Sequence, residues 1–243
     1  MKLCILIPTY NNSATLKKVI ESALEAGYDV VAVNDGSTDG TPQILNGFGE
    51  RIHTVSYTPN RGKGYAIGKG LKEAYRLGYT HAVTMDSDGQ HKVNDVPNLV
   101  KEAELHPDAL VVGERELKGV ERTAGSSFAN KFANFWFTVQ TLRSGIDTQS
   151  GFKLYPLKKV HGIHIMGNRY EGELELLVKS AWRLTEIRSA KVTAYYPPKS
   201  ERVSHFRPGR DFMRISVLNT ILTPLALIYG YPSMLIRYIL RKK

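Results

Sequence analysis

Short apolar runs that alternate with helical patterns are the feature of this sequence that most constrains its fold. The runs read as buried strands and cover residues 3–8, 30–35, 52–57, 81–86 and 109–114. Between them, apolar residues recur at helical spacing, which predicts helices at 13–27, 64–78 and 94–106. Strands that alternate with helices pair in parallel. These residues therefore predict an α/β fold with a mostly parallel sheet flanked by helices.

The pattern changes after about residue 115. The following segments predict an aromatic helix, a strand, a helix with a buried stripe and a further strand, at 124–143, 150–156, 170–183 and 190–198. We expect one folded domain over residues 1–212 and a helical, hydrophobic and basic tail over residues 213–243.

The charge of the chain is concentrated near its end. The net charge is +10, and residues 199–243 hold nine Lys or Arg against two acids. Such a balance suits nucleic acid, anionic lipid or a phosphate-bearing substrate, and charge alone does not choose among them. The single cysteine, Cys4, lies in an apolar run, and the first residues lack a secretory pattern. We therefore expect a cytoplasmic protein.

The tail is apolar but interrupted. Residues 217–239 contain Pro224, Gly230 and Pro232, whereas a membrane-spanning helix needs about 20 apolar residues with intact backbone bonding. These interruptions favour two short helices at a membrane interface, with basic side chains for anionic headgroups: Arg237, Arg241, Lys242 and Lys243. Packing of the tail against the domain core is the alternative.

Polar and acidic residues follow three of the predicted strands. Residues 8–11 follow the first strand, Asp35 ends the second, and Asp86 and Asp88 follow the fourth. In open parallel sheets, ligands bind outside the carboxyl ends of the strands. The sequence therefore places a nucleotide-sized site along this edge of the sheet.

The stretch MDSDGQH, residues 85–91, brings two carboxylates and a carboxamide together in Asp86, Asp88 and Gln90. It lacks the further ligands of a calcium-binding EF-hand loop. Mg²⁺ or Mn²⁺, held by one or two carboxylates and shared with substrate phosphates, suits these oxygen donors. A solvated polar turn is the alternative, and His91 is expected to orient the loop rather than to bind the ion.

Two stretches that contain glycines precede this motif in the chain. In VNDGSTDGT, residues 33–41, the Asp35 carboxylate can accept hydrogen bonds from a base or ribose, and ordinary turn chemistry is the alternative. In NRGKGYAIGKG, residues 60–70, the spacing is not that of a Walker phosphate loop. Lys63 can still meet a diphosphate, and a solvated loop before a helix is the alternative.

Taken in order, IPTYNN, VNDGSTDGT, NRGKGYAIGKG, DSDGQH and DTQSGFKLY resemble the family 2 inverting glycosyltransferases of the GT-A fold. The most similar subgroup transfers sugars to polyprenyl or dolichyl phosphate, and the resemblance covers roughly residues 3–205. It implies that Asp86, Asp88 and Gln90 bind Mg²⁺ or Mn²⁺. It also implies a nucleotide-sugar donor whose nucleoside contacts Pro8, Tyr10, Asn11 and Asp35.

The same resemblance implies an acceptor-phosphate site at Arg115, Arg122 and Ser126. Arginine presents forked donors that suit phosphate oxygens, although two surface arginines are the alternative. Residues 201–212 differ from the lysine-bearing loop of the subgroup. Here His205, Arg207 and Arg210 are expected to close over the diphosphate, and a structural role for the histidine is the alternative.

These observations predict transfer of a sugar from a UDP- or GDP-sugar to a polyprenyl phosphate at the cytoplasmic face of a membrane. We expect Asp86, Asp88, Arg115 and Arg122 to be the catalytic residues. A lipid phosphate is largely ionised near neutral pH and needs no strong base. A hydroxyl of a glycan or glycolipid is the alternative acceptor, and it needs a base.

The candidates for that base are Glu173, Glu175 and Asp147. A nucleic-acid-binding module would leave the acidic strand ends unexplained, and the basic tail lacks the interleaved aromatic residues such a surface uses. We therefore expect no nucleic-acid partner.

Overall fold

The computed structural model describes residues 1–115, 124–193 and 207–241. Its centre is one seven-stranded sheet with the order β3-β2-β1-β4-β6-β5-β7. The strands are β1 (Leu3–Thr9), β2 (Asp29–Asp35), β3 (His53–Tyr57), β4 (His81–Thr84), β5 (Leu110–Arg115), β6 (Lys153–Pro156) and β7 (Ile187–Val192). The apolar runs therefore form strands where the sequence predicted them, within a few residues.

One strand of this sheet runs against the others. β1 pairs in parallel with β2 and β4, β2 pairs in parallel with β3, and β5 pairs in parallel with β7. β6 lies between β4 and β5 and is antiparallel to both. The prediction of a mostly parallel sheet is confirmed. Because β6 is reversed, its first residues lie at the edge where β1, β2, β4 and β5 end, which we call the carboxyl edge.

Helices cover both faces of the sheet. They are α1 (Leu16–Glu25), α2 (Thr41–Phe48), α3 (Lys63–Arg76), α4 (Val96–Leu105), α5 (Ala124–Thr141), α6 (Leu157–Val160), α7 (Tyr170–Trp182), α8 (Pro208–Leu225) and α9 (Tyr231–Arg241). The sequence indicated only the start of α2, and α6 was not predicted. β7 begins before the predicted 190–198 strand, whose last residues lie outside the described part of the chain.

Alternate residues of the strands build two apolar cores. In β1, Leu6 belongs to the core beneath α3, α7 and α8, whereas Ile5 and Ile7 belong to the core beneath α1, α2 and α4. This division follows from the two-residue period of a strand, which points successive side chains to opposite faces. The β1 run is buried on both faces, as expected for a central parallel strand.

The tail differs from the two separate helices that we expected. α8 continues through a π-helical turn, Ala226–Gly230, into α9, and the helix Gly209–Leu240 is long and apolar enough to cross a membrane. The wider π turn begins two residues after Pro224, and the helix continues past the proline. The domain boundary expected at residue 212 falls inside α8.

The tail helix has residues that pack against the domain core and residues that are exposed and apolar, as a membrane-facing segment would need. Ile215, Leu218 and Leu222 are buried in the core beneath α7. Large apolar side chains are exposed elsewhere along the helix, namely Met213, Val217, Ile221, Leu227, Ile228, Tyr229, Leu235, Ile236, Tyr238, Ile239 and Leu240. The tail therefore packs on the domain through part of its surface and leaves many large apolar side chains exposed.

We expect the glycines of α3 to differ sharply in their tolerance of a methyl group. A Cβ at Gly70 would collide with Leu6 and lie 2.9 Å from Val33 Cγ2, whereas a Cβ at Gly68 would meet only Ile165 Cδ1 at 3.6 Å. Gly70→Ala should lower the free energy of unfolding by about 1–3 kcal/mol through overpacking. Gly68→Ala should leave stability unchanged or raise it by up to about 1 kcal/mol through helix propensity.

Urea denaturation of both variants measures this difference. Equal stabilities for the two variants would contradict the close packing of α3 on β1 and β2.

Candidate active site

The loops that follow β1, β2 and β4 are tied to one another at the carboxyl edge. The Asn11 Oδ1 accepts a hydrogen bond from the Thr38 backbone N–H at 2.8 Å, which joins the first two loops. The Asn12 side chain donates to the Ser87 hydroxyl, and Thr15 donates to the Ser87 carbonyl at 2.6 Å. These side-chain bonds hold the three strand ends as one surface.

Asp35 at the end of β2 is 2% exposed and holds the loop that leads into α3. Its carboxylate accepts hydrogen bonds from the backbone N–H groups of Arg61 and Gly62, both at 2.7 Å. The Asn60 amide adds a third bond at 2.9 Å. Asp35 therefore fixes this loop at the carboxyl edge, and its contact with a nucleoside stays a prediction.

The glycines at the start of α3 serve close packing between backbones. A Cβ at Gly62 would lie 2.5 Å from the Asn168 carbonyl oxygen, and a Cβ at Gly64 would lie 2.5 Å from that of Arg169. The same carbonyls accept hydrogen bonds from the N–H groups of Tyr65 and Gly64. The helix start is thus occupied by protein, and what it offers a diphosphate is the Lys63 side chain.

Lys63 belongs to a group of alternating charges, which we call the Lys63 cluster: Asp86, Lys63, Glu173 and Lys153. Glu173 and Lys153 are buried, whereas Lys63 and Asp86 are partly buried. The Lys63 ammonium lies 2.7 Å from Asp86 Oδ1 and 3.2 Å from Glu173 Oε2. The Lys153 ammonium lies 3.8 Å from the other Glu173 oxygen and donates to the Ser150 carbonyl. Buried charges are tolerated when each faces an opposite charge, as here.

The cluster sets the ionisation of its members. Burial opposes the charge of Lys63, but Asp86 and Glu173 outweigh it and hold the pKa of the ammonium well above its usual value. Burial likewise opposes the charge of Asp86, yet Lys63 and His91 lower the pKa of this carboxyl to about 2. Burial lowers the pKa of Lys153. Asp86 is therefore a permanent carboxylate at neutral pH.

The pKa of Asp88 is shifted in the opposite direction to that of Asp86. Burial and the neighbouring charge of Asp86 raise the pKa of the Asp88 carboxyl to about 6. The backbone N–H of Gln90 donates to Asp88 Oδ1 at 3.0 Å, so the turn holds the carboxylate in place. Two carboxylates that destabilise each other favour a cation between or beside them.

His91 orients this loop, as expected. Its Nδ1 accepts a hydrogen bond from the Asp86 backbone N–H at 3.0 Å, and its ring stacks on Phe152 with centroids 4.9 Å apart. Burial lowers the pKa of His91 to about 4, so the ring is neutral at physiological pH.

The residues present fit a divalent metal that substrate phosphates help to hold. Among the described residues, no three His, Cys, Asp or Glu side chains form a metal cage. Asp86, Asp88 and Gln90 nevertheless offer the oxygen donors that Mg²⁺ and Mn²⁺ prefer. The absence of a side chain at Gly151 keeps space beside Asp86, since a Cβ there would lie 2.8 Å from Asp86 Oδ2 and 3.0 Å from Lys63 Nζ.

Arg115 is the last residue of β5, at the same edge, and forms a bidentate ion pair with Asp147. Its Nε lies 2.7 Å and its Nη2 2.9 Å from the two carboxylate oxygens, and Asn130 adds a bond at 3.1 Å. Burial opposes the charge of Asp147, but Arg115 outweighs it and lowers the pKa of this carboxyl. Asp147 is therefore a weak base that orients Arg115.

The other two carboxylates proposed as bases are also engaged. Glu175 is fully buried and accepts hydrogen bonds from the N–H groups of Met166 and Gly167 at 2.9 and 2.7 Å. Lys179 pairs with it at 2.6 Å. Glu173 belongs to the Lys63 cluster. Glu175 therefore holds the loop before α7, and Glu173 faces two ammonium groups.

The remaining predicted residues are described in part. Pro8 is buried in β1, and Tyr10 is half-buried directly after it. Arg207 and Arg210 are exposed at the start of α8, which meets the start of α7 where Arg214 lies 3.4 Å from Glu171. Arg122 and His205 lie outside the described residues, as does the side chain of Ser126.

Sequence reasoning missed Lys153 and the place of Glu173 in the site. A signal for Lys153 was present, because SGFKLYP puts a charged residue in the middle of a buried strand. Glu173 was considered only as a base. The pairing of both with Lys63 depends on the reversed direction of β6 and on the packing of α7 against α3.

Comparisons with known proteins agree with this geometry. The family model described as glycosyl transferase family 2 matches residues 4–157. The chain is 29% identical over 214 residues to the UDP-N-acetylglucosamine–dolichyl-phosphate N-acetylglucosaminyltransferase of Methanococcus voltae, over 79% of this chain and 85% of that protein. It is 28% identical to a dolichyl-phosphate beta-glucosyltransferase of Drosophila melanogaster, over 89% of this chain and 75% of that one.

Solved structures share the fold. Glucosyl-3-phosphoglycerate synthase from Mycobacterium tuberculosis, in complex with phosphoglyceric acid, matches with a TM-score of 0.70 and 18% identity over 92% of this chain and 80% of that one. Its complex with Mn²⁺, UDP-glucose and phosphoglyceric acid matches with a TM-score of 0.67 and 19% identity over 94% and 79% of the two chains.

The similarity to these structures concerns the fold alone, whereas the family model spans more than half of the chain. The protein therefore belongs to glycosyl transferase family 2 and is a glycosyltransferase with the GT-A fold.

Proposed function

We propose that this glycosyltransferase moves a sugar, with inversion, from a UDP- or GDP-sugar to a polyprenyl phosphate, with the help of Mg²⁺ or Mn²⁺. The observation that carries the proposal is the acidic pair Asp86 and Asp88 at the carboxyl edge, where Asp86 lies beside Gly151 and the pKa of Asp88 is raised. The relatives named as dolichyl-phosphate sugar transferases support the choice of acceptor.

The loops at the carboxyl edge bind the donor in this proposal. Pro8, Tyr10, Asn11 and Asp35 line or support the nucleoside site, and the bonds among their loops hold it open before the donor arrives. Lys63 carries a fixed positive charge at the same edge and stabilises the negative charge of the departing diphosphate.

Asp86, Asp88 and Gln90 would hold the metal in this proposal. When bound, the ion supplies Lewis-acid neutralisation of charge on the departing nucleoside diphosphate. The chain itself contributes the position of these donors: the Gln90 N–H holds Asp88, and His91 holds the backbone of Asp86.

Arg115, Arg122 and Ser126 bind the acceptor phosphate in this proposal. Asp147 keeps the Arg115 guanidinium in one orientation through two hydrogen bonds, and an arginine held in this way loses little freedom when it binds a phosphate. A phosphate monoester has a second pKa of about 6, so its oxygen attacks the sugar without a strong base.

The carboxylates near the site support a phosphate acceptor over a hydroxyl. Asp147 is paired with Arg115, Glu175 with Lys179, and Glu173 with two lysines. Carboxylates paired with cations are weak bases, whereas a hydroxyl acceptor needs a base within reach of its proton.

In this proposal, basic residues near the tail bind the diphosphate and apolar residues of the tail contact a membrane. His205, Arg207 and Arg210 close over the diphosphate. The exposed apolar side of α8 and α9, with basic residues near its end, docks on the cytoplasmic face of a membrane that contains the lipid acceptor. The chain then acts on a lipid substrate without leaving the membrane surface.

We expect Asp88→Asn to abolish metal binding while it stabilises the metal-free protein. The pKa of Asp88 is raised from 3.8 to about 6, so the folded state keeps a proton that the unfolded chain releases. Stability conferred by this group therefore falls as the pH rises from about 4 to about 6. At pH 7.5 without metal, Asp88→Asn should be more stable than the wild type by about 2 kcal/mol.

Denaturation with and without MnCl₂ measures both effects. Mn²⁺ should raise the unfolding temperature of the wild type and leave that of Asp88→Asn unchanged. Asp108→Asn removes an exposed carboxylate far from the carboxyl edge and is the matched control. Equal stabilisation of the wild type and Asp88→Asn by Mn²⁺ would place the metal elsewhere.

We expect Arg115→Lys to impair transfer to polyprenyl phosphate, because lysine cannot reproduce the fork that Asp147 orients. The loss in kcat/KM should be about tenfold or more, the size expected for a charge-assisted hydrogen bond. Arg188→Lys, in another strand arginine paired with a glutamate, is the control and should retain activity.

The assay uses radiolabelled UDP- and GDP-sugars with polyprenyl phosphate or the corresponding polyprenol. Transfer to the polyprenol or to a glycan, with none to the phosphate, would establish the hydroxyl-acceptor alternative.

A further inference from the structure

One ammonium in the Lys63 cluster serves two carboxylates that lie on different elements. Lys63 Nζ is 2.7 Å from Asp86 Oδ1 and 3.2 Å from Glu173 Oε2. Asp86 belongs to the loop after β4, on the side proposed for the metal, whereas Glu173 lies in the first turn of α7. The side chain of Glu173 is 9% exposed and that of Asp86 is 24% exposed, so Glu173 is the more enclosed partner.

One carboxylate oxygen of Glu173 is available for a hydrogen bond from an ammonium group. Glu173 Oε1 has no hydrogen-bond partner among the described residues, and the Lys153 ammonium lies 3.8 Å from it, beyond hydrogen-bonding distance. A buried carboxylate oxygen without a hydrogen bond is costly, so a closer approach by an ammonium stabilises it.

The backbone around the cluster is fixed, so an exchange between the two carboxylates needs only side-chain movement. A Cβ at Gly172 in α7 would collide with the Gly167 carbonyl and would lie 3.0 Å from the Cα of Gly64 in α3. Helices in such contact do not slide past each other easily. The lysine side chain is flexible and can swing between oxygens that it already contacts.

We propose that Glu173 is a positioning residue that takes Lys63 from Asp86 when a divalent cation binds, and this inference rests on the metal site of the proposed function. A cation on Asp86 repels the neighbouring ammonium and competes with it for the same carboxylate. Glu173 offers that ammonium a second anionic partner. Lys63 thus pairs with Asp86 in the metal-free protein and moves to Glu173 in the metal-bound protein.

The exchange predicts changes of opposite sign in Mn²⁺ affinity. Lys63→Met removes the competitor for Asp86 and should tighten Mn²⁺ binding about tenfold. Glu173→Gln leaves Lys63 with Asp86 as its only carboxylate partner in the cluster and should weaken Mn²⁺ binding about tenfold. In the double variant, Glu173→Gln should have no further effect, because Glu173 acts only through Lys63.

Titration of the full chain with Mn²⁺, followed by the electron paramagnetic resonance signal of the free ion, measures these affinities. Glu171→Gln removes a neighbouring carboxylate of α7 that pairs with Arg214, and it should leave the affinity unchanged. Circular dichroism checks the fold of each variant. If Lys63→Met does not fold, Lys63→Gln keeps hydrogen bonds to both carboxylates without the charge and takes its place.

The outcomes separate this inference from the proposed function. Absence of Mn²⁺ binding by the wild type, or binding that survives Asp88→Asn, would overturn the metal site and the inference with it. Normal binding that weakens in Lys63→Met would show that Lys63 supports the metal rather than competes with it. A Glu173→Gln effect that persists in the Lys63→Met background would reduce Glu173 to a general negative charge.

Discussion

The contact of the Lys63 ammonium with Asp86 and Glu173 is the interaction on which the rest of the site depends. It joins the loop after β4 to the starts of α3 and α7, three segments far apart in the chain. Because Glu173 and Lys153 are buried, removal of the Lys63 charge leaves a carboxylate in the interior with less compensation. The same compensation lowers the pKa of Asp86 and keeps this carboxyl ionised. Asp88 lacks such compensation, so the pKa of its carboxyl is raised and its negative charge is unfavourable near neutral pH.

The arrangement of charges around this contact is made possible by close backbone packing. Gly62 and Gly64 let α3 start against the carbonyls of residues 168 and 169, and Asp35 holds the loop that leads to them. A side chain at either glycine would push α3 away from α7 and separate Lys63 from Glu173. The glycine-rich stretch therefore acts on the site through the position of Lys63.

The exposed residues of the tail bear on the lipid acceptor that we propose. α8 packs its buried face beneath α7 and begins beside the start of that helix, close to the carboxyl edge. Its exposed residues include the large apolar side chains of Met213, Val217 and Ile221 together with the basic side chains of Arg210 and Arg214. In the proposed function, a membrane docked on these apolar side chains presents the lipid phosphate to the enzyme while the lipid chain stays in the bilayer.

The sequence by itself determined the features that depend on neighbours along the chain. Alternating apolar runs and helical patterns predicted the α/β fold, and the spacing within MDSDGQH brought Asp86, Asp88 and Gln90 together. Only the tertiary structure decided which charges meet, because Lys63 reaches Glu173 through helix packing and Lys153 arrives on a strand whose reversed direction no local pattern specifies. It also decided that the tail continues as one helix past Pro224, through a π turn whose Gly230 packs against Trp182. Local spacing sets which residues are adjacent, whereas strand order and helix contacts set which distant residues touch.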